Sequence, residues 1–254
     1  MSLSLCTIAH DEEQFLAGLL GSVDGVVDEI VLGVDRRTTD YTRDIARLYR
    51  CRTFEFDWRD SFAHARNLTI DRARGDWILV LDPDERLLPE GAQVIRELFA
   101  HLDDVALLVD GFHTLIVETD LENNELSPPE RSSSRLFRNS PDLRYVGRVH
   151  EEIRYLPDPP KTVCAMLEGG PHIRHYGLDP DVWSARDKYR RDTRLLLMRL
   201  EDNPNDAVAL CYLALMARKD GKLAEAKVLA RQALDCGPRT LHEDRRAQLE
   251  LMLA

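Results

Sequence analysis

Apolar and polar positions change period several times along the first eighty residues. Residues 2–9 alternate and then run apolar, which predicts a first strand. Residues 12–21 read as a helix, with Asp11 placed to cap it and acidic residues in its first turn. Val26 to Val34 predicts a second strand ending at Asp35, and Thr38-Thr39-Asp40 opens a helix over about residues 40–50. A shorter third strand is expected over 53–58, followed by an amphipathic helix over 60–73 that carries Arg66 and Asn67. The fourth strand is the apolar run from Trp77 to Leu81, which stops abruptly in Asp82-Pro83-Asp84-Glu85. A short apolar run bounded by charge suits a strand buried on both faces. The strand–helix alternation predicts parallel βα units wound right-handedly.

The pattern changes after Asp84. A helix is expected over 89–101, one or two strands between Val105 and Glu118, and a flexible polar loop from Leu121 to Arg131. Residues 134–138 and 144–151 read as strands of a mixed region, and 169–178 as a last strand and turn. From Asp181 onward the pattern is helical. One long helix over 182–202 is expected to stop at Asn203-Pro204. With Ala207 as position one of a 34-residue unit, Leu213, Ala214, Gly221, Ala226, Ala233 and Pro238 fall where a tetratricopeptide repeat places small, apolar or helix-ending residues. A plain helical hairpin would have nearly the same architecture. Residues 240–253 would form a capping helix. The expected domains are therefore 1–180, an α/β domain, and 181–254, a helical extension with one repeat at about 207–240. One repeat is too few to stand alone, so it should pack on the first domain, on a protein partner, or on its own copy in a homodimer.

Composition narrows this picture. The 254 residues are 44% hydrophobic and 31% charged, ordinary for a globular chain. No apolar run approaches the length of a membrane span, and the opening Met-Ser-Leu-Ser-Leu-Cys lacks the basic region of a signal peptide. Five scattered cysteines without a Cys-x-x-Cys pair point to free thiols in a reducing cytoplasm, and away from a disulfide framework or a zinc site. A net charge of −11 disfavours nucleic acid as a partner. An anionic ligand held by a few local arginines remains compatible with it.

The candidate chemistry lies after the fourth strand. Ligands of open α/β sheets bind outside the carboxyl ends of the strands. Alternate residues of an extended chain face the same way, so Asp82 and Asp84 can address one ion, with Pro83 stiffening the link. Hard cations such as Mg²⁺ use one or two carboxylates together with phosphate oxygens, which is the chemistry for holding a nucleoside diphosphate. The bland alternative is a strand followed by an acidic, solvated turn.

Several pieces in order resemble a family-two glycosyltransferase of the GT-A fold. The likeness is closest to the bacterial subgroup with C-terminal tetratricopeptide repeats and to lipopolysaccharide-core sugar transferases. The matching pieces are Leu5-Cys-Thr-Ile-Ala-His-Asp-Glu-Glu13, Asp28-Glu-Ile-Val-Leu-Gly-Val-Asp35, Thr39-Asp-Tyr-Thr42, Ala65-Arg-Asn67, Gly75-Asp-Trp-Ile-Leu-Val-Leu-Asp-Pro-Asp-Glu85, Arg135-Leu-Phe-Arg138, Gly147-Arg-Val-His-Glu151 and His175-Tyr-Gly177. The resemblance implies a nucleotide-sugar donor (a UDP-sugar), a divalent metal (Mn²⁺ or Mg²⁺) and inversion at the anomeric carbon. It also implies a mixed central sheet. Thr7, Ala9, Asp11, Glu12 and Asp35 would cup the nucleoside, and Arg66 would face the donor. Asp84 and His175 would hold the metal, while Asp82 would bond the ribose or reach the metal through water. Glu151 would be the base that takes the acceptor's proton, with His150 as its neighbour and Glu152 as the competing acid. His172 is expected to be structural. The family's Asp-Thr-Gly-Ser-Thr-Asp loop reads Asp35-Arg-Arg-Thr-Thr-Asp40 here. That departure leaves the base open and sets Arg36 and Arg37 either against phosphate or in a solvated loop.

The acceptor could be a surface glycan, a lipid or a peptide, and the expected location is the cytoplasm or the inner face of a membrane. Two other classes compete. One is a catalytically silent transferase fold that binds partners through its helical tail. The other is a phosphoesterase or nucleotidyltransferase, disfavoured because His10-Asp-Glu-Glu13 stands where a Gly-rich, basic triphosphate loop would be.

Overall fold

The computed structural model describes residues 1–101, 109–156, 164–185, 187–237, 241 and 243–253. They form two compact units, Met1–Val146 with Glu151–Arg186, and Gly147–His150 with Asp187–Ala254.

The first unit opens with three parallel neighbours, β1 (Leu3–Ala9), β2 (Glu29–Asp35) and β3 (Arg52–Phe56), joined through α1 (Leu16–Ser22) and α2 (Thr42–Leu48). α3 (Phe62–Ile70) leads into β4 (Trp77–Val80), which pairs in parallel with β1. Both faces of β4 are buried, as its unbroken apolar run requires. Trp77, Leu79 and Leu81 pack in one cluster with Leu16, Leu19 and Leu20 of α1, while Ile78 and Val80 pack in another with Ala63 and Ile70 of α3. Gly75 is needed just before the strand, since a Cβ there would lie 2.5 Å from Ser4 Oγ, the acceptor of the Gly75 amide.

The second half supplies β5 (Glu85–Leu87), α4 (Pro89–Ala100), β6 (Gly111–Glu118), β7 (Glu130–Arg138), β8 (Leu143–Val146), β9 (Glu152–Tyr155), β10 (Cys164–Met166) and β11 (Ile173–His175), followed by α5 (Pro180–Ala185). The main sheet runs β3-β2-β1-β4-β7-β6-β11-β5, with β10 beside β6 and β8–β9 forming a separate ribbon. β7 is antiparallel to β4, so the sheet is mixed, as expected.

In the second unit, α6 (Lys188–Asp202) precedes a hairpin of α7 (Ala207–Lys219) and α8 (Leu223–Cys236), then α9 (Glu243–Leu253). Ala214, Ala226, Ala230 and Ala233 are fully buried, which lets the hairpin helices approach closely. Gly221 turns the hairpin at φ 75, a conformation favourable to glycine.

Four expectations need correction. The first helix begins at Leu16, not residue 12, and Asp11, at φ 52, caps no helix. Its Oδ1 accepts from the Thr39 and Asp40 amides instead. The strand expected over 144–151 ends at Val146 because Gly147 (φ 106) and His150 (φ 52) leave the extended region. The helix expected over 182–202 is divided around Asp187, which has φ 43. Residues 121–131 are not a plain loop. Asp120 Oδ1 accepts from the Glu122 and Asn124 amides, Thr119 bridges to Glu125, and β7 already begins at Glu130. Residues 105–108, Pro238 and 239–240 lie outside the described residues. No helix among the described residues is long and apolar enough to cross a membrane.

Candidate functional site

The residues after β4 fold back on themselves. The Glu85 amide donates to the Asp82 carbonyl at 2.9 Å, and Glu85 Oε2 accepts from the Asp82 amide at 2.8 Å. This tight turn carries Asp82 and Asp84 into different surroundings.

Asp82 faces arginines. Arg66 Nη2 lies 2.8 Å from Asp82 Oδ1, and Arg66 Nε donates to Glu151 Oε1 at 2.5 Å. Arg66 thus reaches across 85 positions of sequence to Glu151. The next residue, Asn67, is also tied across the site. Its side chain donates to the Tyr145 carbonyl at 3.0 Å and accepts from the Tyr145 amide at 2.9 Å, which ties α3 to β8. Arg135, one residue before the Leu136 that pairs with Leu79, donates to Glu85 Oε1 at 2.6 Å and lies 3.8 Å from Asp82. Burial opposes ionisation of Asp82, but the Arg66 and Arg135 guanidinium groups outweigh it and hold the carboxyl below the usual range. Burial pushes Glu85 up, against the pull of Arg135. Arg66 Nη1 and the Tyr145 hydroxyl are buried without a protein partner.

Asp84 faces an imidazole. β11 is parallel to β6 and antiparallel to β5, and the registers set His175 opposite both Glu118 and Glu85. The Tyr176 amide donates to the Asp84 carbonyl at 3.0 Å, which draws the strand end against the turn. His175 Nδ1 lies 2.8 and 2.9 Å from the Glu118 carboxylate oxygens, and Nε2 lies 3.6 Å from Asp84 Oδ2. Burial lowers the imidazole's proton affinity, but Asp84 and Glu118 prevail and raise its pKa to about 10. Among the described residues no three His, Cys, Asp or Glu side chains gather as a metal cluster. Asp84 and His175 do present an oxygen and a nitrogen to each other beyond hydrogen-bond length. That pair fits a Mg²⁺- or Mn²⁺-type site completed by phosphate and water.

The residues expected to cup a nucleoside are more engaged than the sequence suggests. Arg37 holds Asp35 through its amide (2.9 Å) and guanidinium (2.5 Å from Nη2), so burial is outweighed and the carboxyl titrates low. Arg37 Cζ also lies 6.0 Å from the Trp58 ring centroid. Arg36 is exposed and pairs with Glu55 and Asp57. Thr7 Oγ1 is buried without a partner at the centre of β1, and Ala9 ends that strand. Glu12 is buried, and its amide donates to Thr42 Oγ1. His172 is fully buried, with Nδ1 accepting from the Leu115 amide and Nε2 on the Glu168 carbonyl, a structural role.

Glu118 and Arg135 are not among the residues singled out from the sequence, and Glu85 stands there only as the third carboxylate after the fourth strand, without a role. Arg135 lies inside one of the matching pieces, and its charge so close to a buried strand was a usable signal. Nothing in the sequence links Glu118 to His175.

A mostly parallel sheet with acids beyond its fourth strand and antiparallel return strands is the architecture of GT-A sugar-nucleotide transferases. The crystal structure of S. aureus TarS residues 1–349 shares it, with a TM-score of 0.54 at 13% identity, covering 100% of this chain and 83% of that one. The same protein in complex with UDP-GlcNAc matches at a TM-score of 0.52 and 15% identity, covering 97% and 83%. Residues 4–146, more than half of the chain, match the glycosyl transferase family 2 model, and the chain belongs to that family. A TPR repeat-containing protein of Synechococcus elongatus is 35% identical over 245 residues, covering 92% of this chain and 57% of the relative. The glycosyltransferase SunS of Bacillus phage SPbeta is 26% identical over 203 residues, covering 78% and 45%. The chain spans about half the length of these curated relatives.

Proposed function

We propose that the protein is an inverting, metal-dependent glycosyltransferase that moves a sugar from a UDP-sugar to the hydroxyl or other nucleophile of a glycan, lipid or peptide in the cytoplasm. The observation that carries this reading is Arg66 bridging Asp82 and Glu151. It brings a carboxylate able to act as base to the end of β4, where the donor's acids stand. Glu151 would take the proton from the acceptor as its nucleophile bonds to the anomeric carbon and the bond to UDP breaks. Arg66 holds Glu151 and Asp82 in place and favours the ionised form of Asp82. Its unpartnered Nη1 and the Tyr145 hydroxyl are buried polar groups that a donor oxygen would satisfy. Thr7, Ala9, Asp11, Glu12 and Asp35 form the nucleoside side, with Arg37 beside Asp35 as a candidate for base choice.

Asp84 and His175 would hold the divalent ion, which when bound neutralises charge growing on the leaving diphosphate. Glu118 fixes the His175 ring so that Nε2 points towards Asp84, as carboxylates do behind metal-bound histidines. The TPR repeat-containing relative favours a polypeptide as acceptor or partner of the helical tail.

The test is release of UDP from a panel of UDP-sugars with Mn²⁺ and with EDTA, with and without candidate acceptors. Metal-dependent release from one donor is expected. Absence of release from every nucleotide-sugar, together with tight tail-dependent protein binding, would favour the silent scaffold instead.

A further inference from the structure

Asp84 and His175 stand at the edge of the main sheet. β5, which follows Asp84, is three residues long, ends the strand order and pairs with β11 on one side. On its other side α1 approaches, and the Leu87 amide donates to Ser22 Oγ at 3.0 Å. Three residues supply few ladder hydrogen bonds to fix the turn before them, and that turn carries Asp84.

Side chains supply the rest. Arg86 Nη1 donates to the Pro83 carbonyl at 2.8 Å and to the Glu85 carbonyl at 2.7 Å. The carbonyl between them, that of Asp84, accepts from the Tyr176 amide at 3.0 Å. Arg86 and Tyr176 thus take three successive carbonyls of the turn, with Asp84 in the middle. The two residues also meet each other. Arg86 Cζ lies 5.4 Å from the Tyr176 ring centroid, within cation–π range. That ring stacks on Phe15, with centroids 6.2 Å apart and planes at 25°. The Tyr176 hydroxyl and Arg174 Nη1 both donate to Asn123 Oδ1, at 2.7 and 2.9 Å, so both sequence neighbours of His175 reach one oxygen. Gly18 of α1 leaves room for the Arg86 guanidinium, which a Cβ there would overlap. Burial lowers the Arg86 pKa, and Tyr176, Asp84 and Glu12 oppose that pull. An arginine keeps its proton in such surroundings.

We propose that Arg86 and Tyr176 form a clasp that positions Asp84 and His175 for the divalent ion, with Gly18 as the gap that admits the guanidinium. The clasp stands on the hydrogen bonds; its consequence for a cation rests on the reading of Asp84 and His175 as the metal pair. Charge and position act with opposite signs here. A guanidinium beside Asp84 repels an incoming cation, so loss of its charge alone would tighten Mn²⁺ binding, whereas loss of the clasp would loosen it.

The experiment compares wild type with Arg86→Met and Gly18→Ala in the full chain, by hydrogen exchange without metal and by Mn²⁺ affinity from free-ion electron paramagnetic resonance. Gly18→Ala keeps the charge and displaces only the flexible head of Arg86. Exchange in peptides covering 84–87 and 174–177 should accelerate about tenfold in both variants. Mn²⁺ affinity should fall about tenfold or more in both, as it does when the support behind a metal ligand is lost. Should Arg86→Met fail to fold, Gly18→Ala reads the same turn. Unchanged exchange in the folded variants would overturn the clasp. Faster exchange with Mn²⁺ affinity unchanged or tightened would overturn its role in positioning the ligands. A wild-type chain that does not bind Mn²⁺ would remove the metal reading, and the exchange comparison would still decide the clasp.

Discussion

Asp82 and Asp84 stand two residues apart and live in opposite surroundings. Asp82 shares two buried guanidinium groups, Arg66 and Arg135, with Glu85 and Glu151. Asp84 shares one imidazole with Glu118. The first arrangement is committed, because an arginine does not give up its proton. The second is exchangeable, because a histidine can trade its proton for a metal. One turn of four residues therefore separates a fixed ionic scaffold, which includes the proposed base, from the pair proposed to hold a cation. Pro83 between them limits how far either can drift towards the other's partner.

The comparison can be broken on either side. The largest effect is expected from Glu151→Gln, which keeps the shape but removes the proton acceptor. Transfer should fall about 10²- to 10⁴-fold with UDP affinity unchanged; wild-type transfer would remove Glu151 as base. Arg66→Met comes next. It leaves Glu151 without its guanidinium and Asp82 with only the more distant Arg135 in a largely buried site, and broken buried pairs cost about 3–5 kcal/mol. Urea unfolding of the first unit should show that loss, and a midpoint like the wild type's would mean the bridge is ornamental. Glu118→Gln probes the exchangeable side more gently. Losing the carboxylate behind a ligating histidine should weaken Mn²⁺ affinity about 10- to 100-fold, read from free-ion electron paramagnetic resonance. Unaltered affinity would separate Glu118 from the metal site.

Much of the first half of the fold could be read from the chain, because β1, β2 and β4 are largely apolar runs that end at Ala9, Asp35 and Val80, with acids at or just beyond their ends. Local pattern and local structure agree there. Elsewhere the decisive partners are distant. The Glu118–His175 contact depends on β11 lying beside β6 in one register across 57 residues, and no local pattern encodes that. Asp82, Arg66 and Glu151 were all visible as candidates, yet their bridging joins three distant segments that no local pattern connects. The expected strand over 144–151 fails for a backbone reason. An alternating pattern persists through Arg144-Tyr-Val-Gly-Arg-Val-His, but Gly147 and His150 take positive φ and the segment answers to the tail. Arg37 on Asp35, only two residues away, is a contact that sequence proximity could have revealed, as is the Asp82–Glu85 turn.

The most direct test of the separation between the two acids is a thermal-shift measurement with UDP, in Mn²⁺ and in EDTA, on wild type and Asp84→Ala. A ligand that binds only the folded state stabilises it by about 2.7 kcal/mol at a hundredfold its Kd, enough to move the melt visibly. The account predicts a shift in the wild type that needs Mn²⁺, and loss of that metal dependence in Asp84→Ala with the ligand-free melt preserved. An equal Mn²⁺-dependent shift in Asp84→Ala would contradict it and move the metal away from the Asp84–His175 pair.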